Sequence, residues 1–174
     1  MIRILTDSAS DILPAEAEQL GVTVIPLNVT LEDGSILRDG IDMTPTEYYA
    51  HLASCRKLPT TSQPSPELFE KFYLEAAAAG DEVVGLFLSH ELSGTCQCAR
   101  LAADMANVDN VLFVDSENVC LGESLLVRLA ALFALPITLL SVFMGFSYIC
   151  FTDYRSAYFF CSDSRGWYLV YLFP

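Results

Sequence analysis

"VVGLFLSHELSGTCQCARLAADMANVDNVLFVD" (83–115) is the stretch that decides the fold of this chain. It begins with "VVGLFLS" (83–89), an apolar run of strand length without strict alternation, which is typical of a strand covered on both faces of a parallel sheet. A helix is predicted after "SGT" (93–95), and the apolar run "VLFVD" (111–115) predicts the next strand. Because a strand, a helix and a strand in this order form a right-handed βαβ unit, the stretch predicts a parallel sheet.

The same alternation of strands and helices extends to the N-terminal side of this stretch. Apolar runs predict strands at 2–6 and 22–27, and helical patterns predict helices at 14–20, from 45 within the capping box "TPTE", and from 66 to a stop at Gly80. Strands separated by helices of this size are typical of α/β folds. Residues 1–130 are therefore predicted to form one three-layer α/β domain, with a mostly parallel sheet and helices on both faces.

Composition narrows the classes of partner. The chain has 174 residues and a formal net charge of −13, with only nine Lys and Arg residues. Because nucleic-acid binding depends on clustered Lys and Arg, DNA and RNA are not expected as partners. The opening "IRILTDSAS" (2–10) lacks the pattern of a secretory signal, so a cytoplasmic location is expected. The six cysteines lack paired CxxC motifs, so we expect reduced thiols, no metal site and no cofactor.

Two clusters of hydroxyl side chains stand where a sheet of this kind binds ligands. The first is the loop "LPTTSQPSP" (58–66), which holds four hydroxyls among three prolines that fix φ and reduce the entropy lost on ordering. The second, "SHELSGT" (89–95), follows a predicted strand. Open parallel sheets bind ligands beyond the carboxyl ends of the strands, where helix N-termini offer free amides. The two clusters are therefore predicted to converge on a small anion such as a carboxylate.

The residues alone leave structural roles open for these side chains. Ser65 and Ser93 also fit simple N-caps of the helices that follow them. Asp7, Ser8 and Asp115 follow predicted strands and fit either a loop-organising role or contact with a ligand.

A hydrolase is the alternative from a different functional class. His90 lies three residues before Ser93, and Asp115 would orient the imidazole ring in a Ser-His-Asp arrangement. However, "LSGT" differs from the G-x-S-x-G pattern around a hydrolase nucleophile. A phosphate-binding enzyme is disfavoured because the chain has no GK[ST] motif.

The order of the polar motifs resembles that of a known family. "TTSQPSP" (60–66), "LSGT" (92–95) and "VDSENV" (114–119) followed by "LGE" (121–123) resemble the DegV family of bacterial fatty-acid-binding proteins, over about residues 2–130. The resemblance implies a carrier that is not an enzyme and that buries a long-chain fatty acid. Some members present the bound acid to a fatty acid kinase, so such a kinase is an implied partner.

The resemblance also implies the binding residues. The threonine and serine that hold the fatty-acid carboxylate in the family correspond here to Thr61 and Ser93, and the resemblance assigns these two residues alone. Ser62, Gly94 and Thr95 are candidate neighbours of this pair because they lie beside it in the sequence. It further implies that "ESLLVRLAALFA" is a helix packed on the core of the domain, and that a second α/β domain would ordinarily follow.

The composition changes after residue 130. No charged residue occurs from Leu129 to Thr152, and thirteen of the twenty aromatic residues lie in 131–174. The last part of this tail shows neither helical nor strand periodicity, so the tail is predicted to lie outside the fold, as the product of a frame disruption or truncation. The alternative is a membrane segment at 130–151, the only condition under which membrane association is expected.

Overall fold

The computed structural model describes residues 1–134, 158–163 and 166–171. The chain divides into two units, Met1–Ala134 and Leu135–Pro174. The first unit contains the whole of the predicted α/β domain. The part of the membrane segment considered above that follows residue 134 lies outside the described residues.

The first unit contains strands and helices, and two further strands belong to the second unit. The strands of the described residues are β1 (Ile2–Asp7), β2 (Val22–Ile25), β3 (Asn28–Thr30), β4 (Ile36–Arg38), β5 (Thr60–Ser62), β6 (Glu82–Phe87), β7 (Val111–Asp115), β8 (Tyr158–Asp163) and β9 (Gly166–Tyr171). The α-helices are α1 (Pro14–Leu20), α2 (Pro45–Ser54), α3 (Pro66–Ala78), α4 (Thr95–Ala106) and α5 (Leu121–Ala134).

The main sheet consists of four parallel strands in the order β2-β1-β6-β7. All four lie where the apolar runs predict them, which confirms the α/β fold class. β2 ends at Ile25 rather than at residue 27, because Pro26 has no N–H to donate to a ladder. Leu27 donates its N–H to the hydroxyl of Ser8 instead, at 3.0 Å.

Helices cover both faces of this sheet, as predicted. Because successive side chains of a strand point to opposite faces, neighbouring residues of β1 enter different cores. Leu5 packs in one core with Phe69 of α3 and with small residues of α4. Ile4 packs in the other core with residues of α1 and with Val127 of α5, which is fully buried. α5, the helix that the family resemblance implies, therefore completes the third layer of the domain.

A second, antiparallel sheet was not predicted from the sequence. Its three strands lie in the order β4-β3-β5 and have three residues each, too few for a hydrophobic period to be recognised. The segment "TTS" (60–62), expected as part of a loop, is the edge strand β5 of this sheet. Pairing with β3 orders the segment in addition to the flanking prolines.

Helix α2 begins with the predicted capping box. The hydroxyl of Thr44 accepts the N–H of Glu47 at 3.3 Å, and the carboxylate of Glu47 accepts the N–H of Thr44 at 2.8 Å. Two N–H groups that would otherwise lack an intrahelical partner are thereby satisfied.

Two elements concern the part of the chain beyond residue 130. α5 continues to Ala134, which carries the first unit past the predicted boundary. In the second unit, β8 and β9 pair in antiparallel register. These strands form although the sequence there shows no clean alternation, since aromatic residues favour strands.

Candidate functional site

The order of the strands defines where a ligand crevice is expected. The chain passes from β1 to β2 on one side of β1 and later returns to β6 on its other side. Open parallel sheets bind ligands at such a switch point, beyond the carboxyl ends of the strands. The loops that follow β1, β6 and β7 lie at this edge of the sheet.

Asp7, the last residue of β1, organises this edge. It is fully buried and accepts the N–H of Leu88 at 3.0 Å and the N–H of Ala9 at 2.9 Å, which ties the end of β1 to the end of β6. Burial raises the pKa of Asp7 to about 6, although the two N–H donors act to lower it. Asp115 similarly accepts the N–H of Glu117 at 2.9 Å. Both acids therefore have the loop-organising role that was left open.

A second buried acid, Glu123, interacts electrostatically with Asp7. Glu123 lies in the first turn of α5 with no exposed surface, and its Oε1 accepts the hydroxyl of Thr6 at 3.0 Å. Its Oε2 is buried without a partner among the described residues. Burial, together with the charge of Asp7, raises the pKa of Glu123 to about 9, so the side chain is protonated at neutral pH. This pair was missed because the sequence shows only an ordinary acid near a helix start.

Thr61, the first predicted carboxylate ligand, lies in β5 opposite Val29 of β3. Residues directly opposite each other share one face of a sheet, so Thr61 shares its face with the buried Val29. The predicted neighbour Ser62 points to the other face, which separates it from Thr61. The side chain of Thr61 is exposed and makes no hydrogen bond within the described part of the chain.

Ser93, the second predicted ligand, lies just before α4 and is half-buried. Its Oγ lies 2.9 Å from Oγ1 of Thr95 and accepts the N–H of Thr95 at 3.3 Å. The N-cap position itself is Gly94, so Ser93 is not a simple N-cap. Thr95 is fully buried, and its hydroxyl therefore orients Ser93 from within the protein. Ser65, in contrast, occupies the N-cap position of α3 without a capping side-chain hydrogen bond.

The two hydroxyl motifs meet at Gln63 and Gly94. A Cβ atom added to Gly94 would lie 2.3 Å from Oε1 of Gln63, so the carboxamide occupies the space beside this glycine. Close by, Cys98 of α4 donates its thiol to the carbonyl of Pro64 at 3.4 Å. The described residues thus bring the two motifs into contact. Gly94, a candidate neighbour of the carboxylate, is approached closely here by Gln63.

His90 does not complete the arrangement that the hydrolase alternative requires. Its Nδ1 pairs with Asp115, but its Nε2 lies 3.1 Å from the carboxylate of Glu91. The hydroxyl of Ser93 pairs with Thr95 instead. The hydrogen bond with Asp115 also raises the pKa of His90 above its ordinary value.

Other features of the described residues lie apart from these motifs. A cleft of about 410 Å³ is lined by residues of α1 and the segment before it, of β2 and of the segment before α2, such as Ile12, Val24 and Ile41. None of the hydroxyl-motif residues lines it. Within the same described part, no group of three or more His, Cys, Asp or Glu residues is arranged to hold a metal ion. No helix there is long and apolar enough to cross a membrane.

Comparison with known proteins identifies the family. A model of the DegV family, described as one of uncharacterised proteins, matches residues 1–135. The chain belongs to the DegV family. A DegV domain-containing protein of Deinococcus radiodurans is 41% identical over 130 residues, which cover 75% of this chain and 46% of the relative. A DegV domain-containing protein of Listeria monocytogenes is 35% identical with the same coverage. The chain thus spans about half the length of these curated DegV relatives.

Solved structures of DegV proteins show the same fold. A fatty-acid-binding DegV protein of Thermus thermophilus has a TM-score of 0.68 and 29% identity, covering 97% of this chain and 70% of its own. A Thermotoga maritima protein, whose structure reveals a fatty acid binding function, has a TM-score of 0.66 and 35% identity, covering 76% and 48%. A stearic acid-binding protein of Eubacterium ventriosum has a TM-score of 0.69 and 25% identity, covering 84% and 53%. The family resemblance is confirmed, and the structural neighbours include fatty-acid-binding proteins.

Proposed function

We propose that this DegV chain binds a long-chain fatty acid, holds its carboxylate with the hydroxyls of Thr61 and Ser93, and presents it to a partner protein. The contact between Gln63 and Gly94 carries the proposal, because it joins the two hydroxyl motifs at the N-terminus of α4. Structural neighbours that bind fatty acids support the same ligand. The chain acts as a carrier and not as an enzyme.

The chemistry of the site suits a carboxylate. The hydroxyl of Thr61 has no partner within the described residues and is exposed, so it is available as a donor. When the buried Thr95 donates to Oγ of Ser93, the hydrogen of Ser93 is left for the ligand. The N-terminus of α4 adds a partial positive charge beside the hydroxyl of Ser93. Hydrogen bonds to a charged group are stronger than neutral ones, so this set favours an ionised acid.

The acyl chain has apolar surface available next to both motifs. Leu58 precedes the first motif and is 72% exposed, and Leu92 directly precedes Ser93 and is 65% exposed. Each methylene removed from water contributes about 0.8 kcal/mol. The length of the acyl chain therefore sets the affinity, and the hydroxyl pair selects the head group.

Lipid extraction of the purified chain, followed by mass spectrometry, tests whether a fatty acid is bound. In a titration with oleic acid, Thr61→Val and Ser93→Ala are each expected to weaken binding by about 1 to 3 kcal/mol, because a carboxylate oxygen loses a donor. Thr46→Val, at an exposed threonine of α2, is the matched control and is expected to leave the affinity unchanged.

Two results contradict this proposal. Wild-type affinity for oleic acid in both site variants would show that the carboxylate binds elsewhere. Hydrolysis of p-nitrophenyl esters that disappears in Ser93→Ala would replace the carrier with the hydrolase alternative.

We further propose that the partner is a fatty acid kinase with a basic docking surface. Twenty of the 22 acidic residues, but only seven of the nine basic ones, lie in 1–129. Opposite charges accelerate the encounter of two proteins, and salt screens this attraction. The association rate with such a kinase is therefore expected to fall between dilute and physiological ionic strength, and a rate independent of salt contradicts electrostatic steering.

A further inference from the structure

Gly94 has no conformational reason to be a glycine. Its φ of −75° and ψ of 7° are accessible to other residues. An added Cβ would lie 2.3 Å from Oε1 and 3.5 Å from Cδ of Gln63, so a larger residue at this position would displace the flexible carboxamide. The first of these distances is far inside van der Waals contact. Gly94 is therefore the residue that allows the carboxamide of Gln63 to lie against the start of α4.

The backbone of Gln63 is held from both sides. Its carbonyl accepts a hydrogen bond from Nδ2 of Asn28 at 3.1 Å. The next residue, Pro64, is fully buried, and its carbonyl accepts the thiol of Cys98. A side chain that extends from a fixed backbone has less freedom to lose when it binds a ligand. The backbone from which the exposed carboxamide extends is thus fixed on both sides.

The carboxamide also has unused donors. Its Oε1 faces Gly94, and its Nε2 makes no hydrogen bond within the described part of the chain. A primary amide nitrogen carries two N–H donors. Gln63 follows Thr61 by two residues and lies directly after β5. Gln63 also touches Gly94, the residue that directly follows Ser93 in the second motif.

We infer that Gln63 is a third carboxylate-binding residue, which donates its Nε2 N–H to the ligand between Thr61 and Ser93. This inference rests on the proposed fatty-acid function and deepens it by assigning head-group selectivity to a named side chain. Gly94 acts with Gln63, since it leaves the space in which the carboxamide lies.

The test measures binding of radiolabelled oleic acid and oleyl alcohol to the full chain. Gln63→Ala is expected to weaken binding of the acid about tenfold and to change binding of the alcohol little, because the lost hydrogen bond is strong only to a charged acceptor. Gly94→Ala displaces the carboxamide and is expected to have the same effect. Added to Gln63→Ala, it is expected to cause no further loss. Gln97→Ala, at an exposed glutamine of α4, is the matched control.

Each alternative outcome overturns the inference. If Thr61→Val and Ser93→Ala weaken acid binding but Gln63→Ala does not, the inference fails while the proposed function stands. Equal losses for acid and alcohol in Gln63→Ala would mean that Gln63 only shapes the loop. A further loss from Gly94→Ala in the Gln63→Ala background would show that the two residues act separately. If the wild-type chain binds no oleic acid, the proposed function fails as well.

Discussion

Replacing Glu123 with glutamine is expected to stabilise the protein at neutral and alkaline pH. The buried Glu123 has a pKa of about 9, against 4.5 as the ordinary value for an exposed glutamate. Between these two values the folded chain holds a proton that the unfolded chain releases. The stability contributed by this proton is therefore complete below about pH 4.5 and is lost as the pH rises toward 9. Glutamine keeps the shape of the side chain and has no such proton to lose.

The size of the effect follows from the linkage between proton binding and unfolding. One proton changes the free energy of unfolding by about 1.4 kcal/mol per pH unit within this window. Between about pH 6.5 and 8.5, the wild type is thus expected to lose roughly 2 to 3 kcal/mol more than Glu123→Gln. Asp7 contributes little to this difference, because its pKa of about 6 lies below the window. The amide oxygen of the variant can still accept the hydroxyl of Thr6.

Urea unfolding followed by circular dichroism at a series of pH values measures this difference. Glu75→Gln, at an exposed glutamate of α3, serves as the control and is expected to follow the wild type at every pH. If the curves of Glu123→Gln and wild type run parallel across the window, Glu123 does not hold a proton in the folded chain and the reasoning is refuted.

Further substitutions test the core, a helix cap and a surface ion pair. Phe69→Ala is expected to lower the free energy of unfolding in urea by about 3 to 5 kcal/mol, because its fully buried ring packs between α3 and the sheet. Thr44→Ala is expected to cost about 1 kcal/mol in the same measurement, because it removes the acceptor of the Glu47 N–H. An NMR titration is expected to place the pKa of His90 above 6.5, and Asp115→Asn is expected to lower it, since the hydrogen bond with Asp115 raises this pKa.

The parallel sheet could be predicted because each of its strands is an apolar run long enough to recognise. Because such strands are buried on both faces, they read as near-continuous apolar runs, which can be recognised in the sequence. The edge strand β5 is exposed at all three positions and polar throughout, so neither burial nor alternation marks it. Its place depends on pairing with β3, a contact between distant parts of the chain that local pattern does not specify.

The sequence predicted that the two hydroxyl motifs of the candidate site approach each other, but it did not predict which residues are in contact. The position of Ser93 at a helix start follows from the strand that precedes it. The contact of Gln63 with Gly94 depends on how two loops pack, which no spacing reveals. Glu123 is buried because α5 packs against β1. The local sequence does not specify this contact, and from that sequence alone an acid near a helix start is expected to be exposed to solvent. The origin of the tail at 131–174 stays a prediction, which reading the coding DNA in the other two frames tests.

Because β1 is a central strand of the main sheet, it cannot be paired on both sides until a strand made much later has been synthesised. β1 is the first strand made, and β2 follows it closely, but its other neighbour is complete only at Phe87. Translation at about 5 to 20 residues per second leaves roughly 4 to 16 seconds between the completion of β1 at Asp7 and that of β6 at Phe87. During this interval one edge of β1 is unpaired, and Leu5, fully buried in the folded protein, has no core to enter. Unpaired apolar edges associate with other chains, so we expect the nascent N-terminal segment to need a chaperone until β6 leaves the ribosome.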